Sequence, residues 1–596
     1  MSDRNPSDEI LSLAYQLLQS GALDQVEPAL QALKPDDPAY VNALHMRGLA
    51  HGLAGRIETA LTLLEQAHRL RPDDVELAGN LAKAYARAQR YAEALRLNDR
   101  LLCAGHTGAE RYTDCGIMLL ELERDAEALS FFTLALEADP AYAPAWSGKA
   151  KLMFKYEDCE EALLCYDRAL LIQAGKASHH SGRGIALGQL GRFEEAMRDH
   201  DHALELAPDS PEVWICRAAT LIRAYRPEQG LAAIEHGFAL GADSAHAYCI
   251  RGEALLELNR IDEALQDYEC ALQLDPGCSQ AQYKMGCALL SQGNYGAGWQ
   301  AYEYRWQKVL RIPMRHQQLP RWSGAESLAG KRILLWAEQG FGDIIQHCRF
   351  AIDVQALGAQ VVFETSPALL ELCRSLPIGR VIAQDDPISD CDYQIPLASL
   401  PLALGVQSDA IAHAEGYLHA GAEAVQRWAA TLPPARHALR IGIACSGYPG
   451  HGRNLMRSMP LRFFLPLADV ADLFILQPLL QHEDALFQQR HPEILHPQIN
   501  GKSFADTAGL VENLDLVISV DTSIAHLAAS LGKPTWVLLD WAAEWRWMQD
   551  IGYSPWYRSA RLFRQPARGD WTSVMRQVLQ VLQQLQGFAF AAGKDC

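Results

Sequence analysis

The sequence predicts an α-helical solenoid followed by an α/β region of two lobes. Three observations carry this prediction. Small residues recur at a 34-residue period through the first half, short apolar runs alternate with amphipathic stretches from Lys331 onward, and a Pro-broken segment splits that alternation into two series. At 596 residues the chain is also too long for one core.

The repeat comes first. Gly48, Ala60, Leu64, Ala67 and Pro72 set a pattern of small residue, alanine, large residue, alanine and proline. Gly116, Ala128, Phe132, Ala135 and Pro140 restate it, and the sets beginning at Gly184 and Gly252 follow. These glycines are 68 residues apart, twice 34, and the intervening units, marked by Ala82 with Ala94 and Ala150 with Ala162, stay in register. A weaker unit starts near Ser7, giving nine units over residues 7–312. Small residues let the first helix of a unit approach the second, the large residue fills the gap one turn on, and the proline stops the second helix. One such unit cannot bury its own apolar face, so units must stack. The pattern resembles the tetratricopeptide-repeat family, which implies a groove that takes a protein or peptide partner. His200 and His202 form an H-x-H, but His200 fills the slot of Phe132 and Tyr268 and reads as a packing residue. Tyr295, Trp299, Tyr302, Tyr304 and Trp306 crowd the last unit and should seal the array.

The second half alternates strand and helix. KRILLWAE reads as a buried strand, an amphipathic stretch follows from Ile344 to Leu357, VVFE is the next strand, and Pro367–Leu376 the next helix. The spacing predicts a first Rossmann-like lobe over 320–404, a linker over 405–438 broken by Pro433-Pro434, and a second lobe over 439–587. In the second lobe RIGIACSG, DLFILQ, LDLVISV and PTWVLLD are strands. Ligands of such sheets sit beyond the carboxyl ends of the strands, so chemistry is expected at QGFGD, CSGYPG and SVDTS.

Each of these stretches has a physical use. After LDLVISV, Asp521 can hold a sugar or ribose hydroxyl. Thr522 and Ser523 open a helix whose free N–H groups suit phosphate, and His526 lies one turn in. Asp521 or Thr522 can equally be the helix cap. Ser446 and Gly447 turn the backbone toward a ligand, and Arg457 with Ser458 offers a cation and a hydroxyl to a diphosphate. In QGFGD, Gly340 and Gly342 flank Phe341 and permit close approach of a ligand, the three being expected on the acceptor side, and Asp343 can deprotonate an acceptor hydroxyl or cap the helix.

Together AEQGFGD, CSG with RSMPL, FADTAGLVENLDLVISVDTSIAHLAASLGKP and WRWMQDIGYSPWYRSARLFRQPARGDW resemble the GT-B glycosyltransferases related to bacterial ADP-heptose transferases, most of all a bacterial branch fused to tetratricopeptide repeats. The resemblance implies a two-lobed fold and a metal-independent, inverting transfer of sugar from a nucleotide-sugar donor. It implies Asp343 as general base and Asp521, Thr522, Ser523, His526, Ser446 and Arg457 on the donor side, with Gly447 and Ser458 in the same loop. No cofactor beyond the donor substrate is implied. The acceptor is expected to be a protein recruited by the repeats. Cys445 and Tyr448 stand where relatives carry Trp and Asn, which keeps open a non-catalytic adaptor that binds a nucleotide without turnover. Lipopolysaccharide heptosyl transfer is a third reading.

Composition bounds the partners. The formal net charge of −19 gives no basic footprint for nucleic acid. No run of about 18 apolar residues suggests a membrane span, the start MSDRNPSDEI lacks a secretory signal, and the 14 cysteines never form C-x-x-C, so free thiols in a cytoplasmic protein are expected. Asp390-Cys391-Asp392 is a D-x-D, but it precedes YQIPL in the first lobe, away from the donor loops, so no metal site is assigned.

Overall fold

The computed structural model of the chain describes residues 6–307, 313–388, 390–450 and 452–592, with side chains to 585. The end of the expected repeat segment, 308–312, and His451 in the second-lobe loop lie outside the described residues. Helices run in pairs, from Pro6–Gln19 with Leu23–Leu30 to Ser279–Ser291 with Tyr295–Tyr302, nine pairs among the described residues.

The 34-residue period has two structural expressions. Between the helices of each pair one residue turns left-handed, at Gly21, Gly55, Gln89 and onward to Asn259 and Gly293, with φ between 59° and 81°. The second expression is packing of a large side chain on a glycine. A Cβ added to Gly48 would lie 2.7 Å from Leu64, one added to Gly116 would lie 2.7 Å from the Phe132 ring, and one at Gly184 2.9 Å from His200. Phe132 also fills the space over Gly148 of the next pair. His200 is fully buried, bonds Thr220 Oγ1 at 2.9 Å, and is held near pKa 4 by burial, so it packs as a neutral ring.

The chain forms two compact units, Met1–Arg226 with Ala239–Gly241, and Pro227–Phe238 with Ala242–Cys596. Among the described residues the first is built of helices, paired up to the last one, Pro211–Arg223, with cores such as that around Leu64, Leu81 and Leu97 and that around Met118, Phe132 and Leu152. The second contains the last helix pairs and the α/β region, and one of its cores joins the last pair to residues of both sheets. There Tyr295, Trp299 and Tyr302 are buried against Trp545, Trp556 and His347, and Trp306 meets Trp336. These contacts seal the last helix pair, as the crowding of aromatics suggested.

Two parallel sheets make up the α/β region. The first contains β1 (Arg332–Trp336), β2 (Gln360–Thr365), β3 (Arg380–Ala383) and β4 (Tyr393–Pro396) in the order β3-β2-β1-β4. Ile333 of β1 faces Val361 on one side and Tyr393 on the other. The second contains β5 (Arg440–Ala444), β6 (Asp472–Ile475), β7 (Ile494–Leu495), β8 (Leu516–Val520), β9 (Thr535–Leu539) and β10 (Ala560–Arg564), ordered β10-β9-β8-β5-β6-β7. That order reverses between β5 and β8, so the loops after these two strands leave on opposite sides and open a crevice. The strands are near-continuous apolar runs because both faces are covered.

Local differences from the sequence reading have physical causes. The stretch from Ile344 to Leu357 is two helices, Phe341–His347 and Phe350–Ala356. They break at Cys348-Arg349, where the buried Arg349 guanidinium bonds the Trp556 carbonyl at 2.6 Å and the Tyr417 hydroxyl at 3.1 Å. Pro367–Leu376 shrinks to one turn at Leu370–Cys373. The D-x-D lies at the amino end of β1. Asp392 accepts the Arg332 backbone N–H at 2.8 Å and pairs with Lys331 at 3.2 Å, so it staples strand starts at the end remote from the crevice. The thirteen described cysteines are free thiols. Among the described residues no helix is long and apolar enough to cross a membrane.

Candidate functional site

The carboxyl ends of both sheets border one cleft of about 1290 Å³. β1 runs into Gly340 and the helix Phe341–His347, β5 into Ser446-Gly447, β8 into Asp521-Thr522 and the helix Ser523–Ser530, and β9 into a single 3-10 turn at Trp545–Trp547. Ile261, Tyr283 and Lys284 of the last helix pairs line the same space. Of the residues picked from sequence, Gly340, Phe341, Gly342, Asp343, Gly447, Arg457, Asp521, Thr522, Ser523 and His526 line it. Ser446 and Ser458 serve their own loop. The Ser446 hydroxyl is buried and accepts from Gln477 Nε2 at 2.9 Å, and Ser458 Oγ donates to Asn454 Oδ1 at 3.2 Å.

Why the β8 loop takes its form follows from its residues. Thr522 is extended and its hydroxyl accepts from Ile524 N at 3.3 Å, capping the helix Ser523–Ser530. Asp521, relieved of that duty, faces the cleft with 7% exposure. Burial and then the neighbouring Glu544 raise its pKa to about 7 against the pull of Arg457. His526 is 4% exposed, with Nδ1 at 2.9 Å from the Tyr557 hydroxyl and its ring stacked on Trp547 at 5.1 Å. Burial and the nearby Arg546 hold it well below the usual histidine range, so it is a neutral ring. The β5 loop is pinned from below. Gln477 Oε1 accepts from Cys445 N at 2.7 Å, Asn454 Oδ1 accepts from Gly447 N at 3.1 Å, and a Cβ at Gly447 would strike Arg457 Nη2 at 2.7 Å.

Asp343, on the helix after β1, is one of the carboxylates of the cleft, with 22% of its side chain exposed. It pairs with Arg546, which also pairs with Glu544. Burial pushes the Asp343 pKa up, and Arg546 with the Gly340 N–H pulls it down. Arg546 was not singled out from sequence, although WRWMQD lay within the matched tail, because nothing local marks a cation on a lone 3-10 turn. Glu338 was missed as well. It sits 8% exposed between β1 and β4, accepts from the backbone N–H of Leu397 and Ala398 at 3.1 Å each, and pairs with the buried Arg305 at 3.2 Å. Gln477 had a readable signal, a polar residue directly after the apolar DLFIL, as Asp521 has after LVISV.

Residues 53–112 and 245–278 match family models for the tetratricopeptide repeat. The chain therefore carries tetratricopeptide repeats, which are protein-interaction modules. Protein FlbA of Caulobacter vibrioides (strain ATCC 19089 / CIP 103742 / CB 15) is 27% identical over 320 residues, covering 49% of this chain and 53% of FlbA. Among solved structures, the APC/C hetero-tetramer Cut9-Hcn1 is 16% identical with a TM-score of 0.40, over 52% of this chain and 61% of that one. A tetratricopeptide-repeat protein from Parabacteroides merdae ATCC 43184 is 17% identical with a TM-score of 0.29, over 48% of this chain and 98% of that one. A thermophilic repeat protein of Thermus thermophilus is 22% identical with a TM-score of 0.29, over 30% of this chain and 99% of that one. The chain thus spans about half the length of the FlbA sequence and under two thirds of the Cut9-Hcn1 chain.

Proposed function

We propose that the chain is a metal-independent, inverting glycosyltransferase of GT-B type that moves a sugar from a nucleotide-sugar donor to a protein acceptor engaged by the repeats. The observation that carries this reading is the meeting, in one cleft at the reversal point of the second sheet, of the helix start Ser523–Ser530 and Arg457 with Asp343 across from them. The positive end of a helix and a guanidinium fork are complementary to a diphosphate. Asp343 accepts the proton of an acceptor hydroxyl, whose oxygen attacks the anomeric carbon opposite the diphosphate. The bond from that carbon to the phosphate oxygen breaks, and the charge leaving with the diphosphate is held by the helix start and Arg457. Asp521 is suited to a sugar or ribose hydroxyl. The experiment is a screen of the full chain against nucleotide sugars for release of nucleoside diphosphate, with and without candidate acceptor proteins. Turnover with one donor supports the reading. No binding and no turnover with any donor refutes it.

A second reading, a repeat adaptor whose α/β region binds a nucleotide without turnover, draws on the Asp343–Arg546 pair, because a carboxylate already held by a guanidinium is a weak base. Donor binding without transfer or hydrolysis selects it.

A further inference from the structure

Arg546 touches carboxylates from both lobes of the cleft, Asp343 on the helix Phe341–His347 and Glu544 beside it. Its stem is fixed. The residue is 7% exposed, its guanidinium lies 4.5 Å from the Trp545 ring centroid, and Trp545 and Trp547 on either side are buried. Only the head can change partners. The cleft is lined by Glu257, Glu338, Asp343, Asp521 and Glu544 and by Lys284, Arg315, Arg453, Arg457 and Arg546, and Lys284, Arg315, Arg453 and Arg546 are each already paired with a carboxylate, so a ligand with two or more negative charges entering beside Ser523 draws a cation out of one of those pairs. A guanidinium fork matches phosphate oxygens at least as well as it matches one carboxylate.

We propose that Arg546 is an exchangeable counter-ion: an incoming diphosphate takes its guanidinium from Asp343, and the exchange leaves the Asp343 carboxylate uncovered inside the cleft. Arg546 is one of the two groups that lower the Asp343 pKa against burial, so its departure makes that carboxylate a stronger proton acceptor at the moment the donor is seated. Arg546 is then a positioning residue, and an empty cleft holds its base in check. This proposal rests on the diphosphate reading of the cleft given above.

The test is titration calorimetry of the full chain with inorganic pyrophosphate, run as a double-mutant cycle. Asp343→Asn removes the competitor and is expected to tighten pyrophosphate binding by about fivefold, while Arg546→Met weakens it by about tenfold or more. In the Arg546→Met background, Asp343→Asn is expected to give no gain. If Arg546→Met fails to fold, Arg546→Lys takes its place. It keeps the charge, loses the fork, and should shrink the Asp343→Asn gain. An unchanged affinity in Asp343→Asn overturns the exchange, as does an equal gain in both backgrounds, which is the mark of general charge repulsion. Either result leaves the diphosphate reading standing. A folded parent chain that binds no pyrophosphate overturns both.

Discussion

Gly342, on the helix after β1, stands against His526, on the helix after β8, so closely that a Cβ at Gly342 would lie 3.0 Å from the imidazole Cδ2. The imidazole cannot give way, because Tyr557 bonds it on one side and Trp547 stacks on it. Gly342→Ala should therefore cost about 1 kcal/mol net, since overpacking at about 1–3 kcal/mol outweighs the helix preference of Ala at about 1 kcal/mol. Gly296, in the helix Tyr295–Tyr302, meets nothing within 4 Å, so Gly296→Ala should stabilise instead. Thermal denaturation of the two variants checks this. A stabilised Gly342→Ala would show that the two helices do not meet this closely.

On the proposed reading, loss of Asp343 as general base and loss of Arg457 as phosphate contact should separate in kinetics. Asp343→Asn is expected to lower turnover by about 10²-fold or more without weakening donor binding. Arg457→Ala should weaken donor binding by about 1.5–3 kcal/mol. Single-turnover rates paired with calorimetry distinguish them. Parent-rate turnover in Asp343→Asn would reduce Asp343 to a helix-end residue.

If the proposed transfer is found, it should survive EDTA, because Arg457 and Arg546 are among the cations that line the cleft and Asp392 of the D-x-D is spent on Arg332 and Lys331. Activity lost in EDTA and restored by manganese would reverse this assignment.

His200 makes the repeats acid-sensitive. Its pKa is about 4 in the fold and about 6.5 in the unfolded chain. Above pH 6.5 the ring is neutral in both states and its linkage term is zero. Between those values the unfolded chain takes up a proton that the buried ring refuses, so stability falls as pH falls, by about 2 kcal/mol at pH 5. His200→Phe, which copies the Phe132 packing over Gly116, should show a smaller loss from pH 7 to pH 5 in urea titrations. An unchanged pH dependence would place the sensitivity elsewhere.

The repeats were legible because each unit states the same packing problem, and the Gly116–Phe132 contact recurs as Gly48–Leu64 and Gly184–His200. In the cleft, Asp521 and His526 could be read because a polar run follows an apolar strand directly. Arg546, Glu338 and Gln477 were passed over. Arg546 and Glu338 act through partners 203 and about 60 positions away, and no local pattern encodes such a meeting. Cys348-Arg349 misled for a related reason. The helix pattern runs through it, and a tertiary demand, the burial of Arg349 on Trp556 and Tyr417, breaks it.

The division between the compact units falls inside a repeat, between the helices Pro211–Arg223 and Pro227–Ala239. The last helix pair shares a core with the sheets through Leu290, Tyr295, Trp299 and Tyr302, and Ile261 of the pair before it lines the cleft. Repeat number is therefore free to drift over evolutionary time only upstream of it. A lineage can gain or lose early repeats and retune which proteins it captures, whereas deleting a late one would strip the cleft of a wall. Recombination at 226 should yield working chimaeras more often than recombination at 312, the junction that sequence composition suggests.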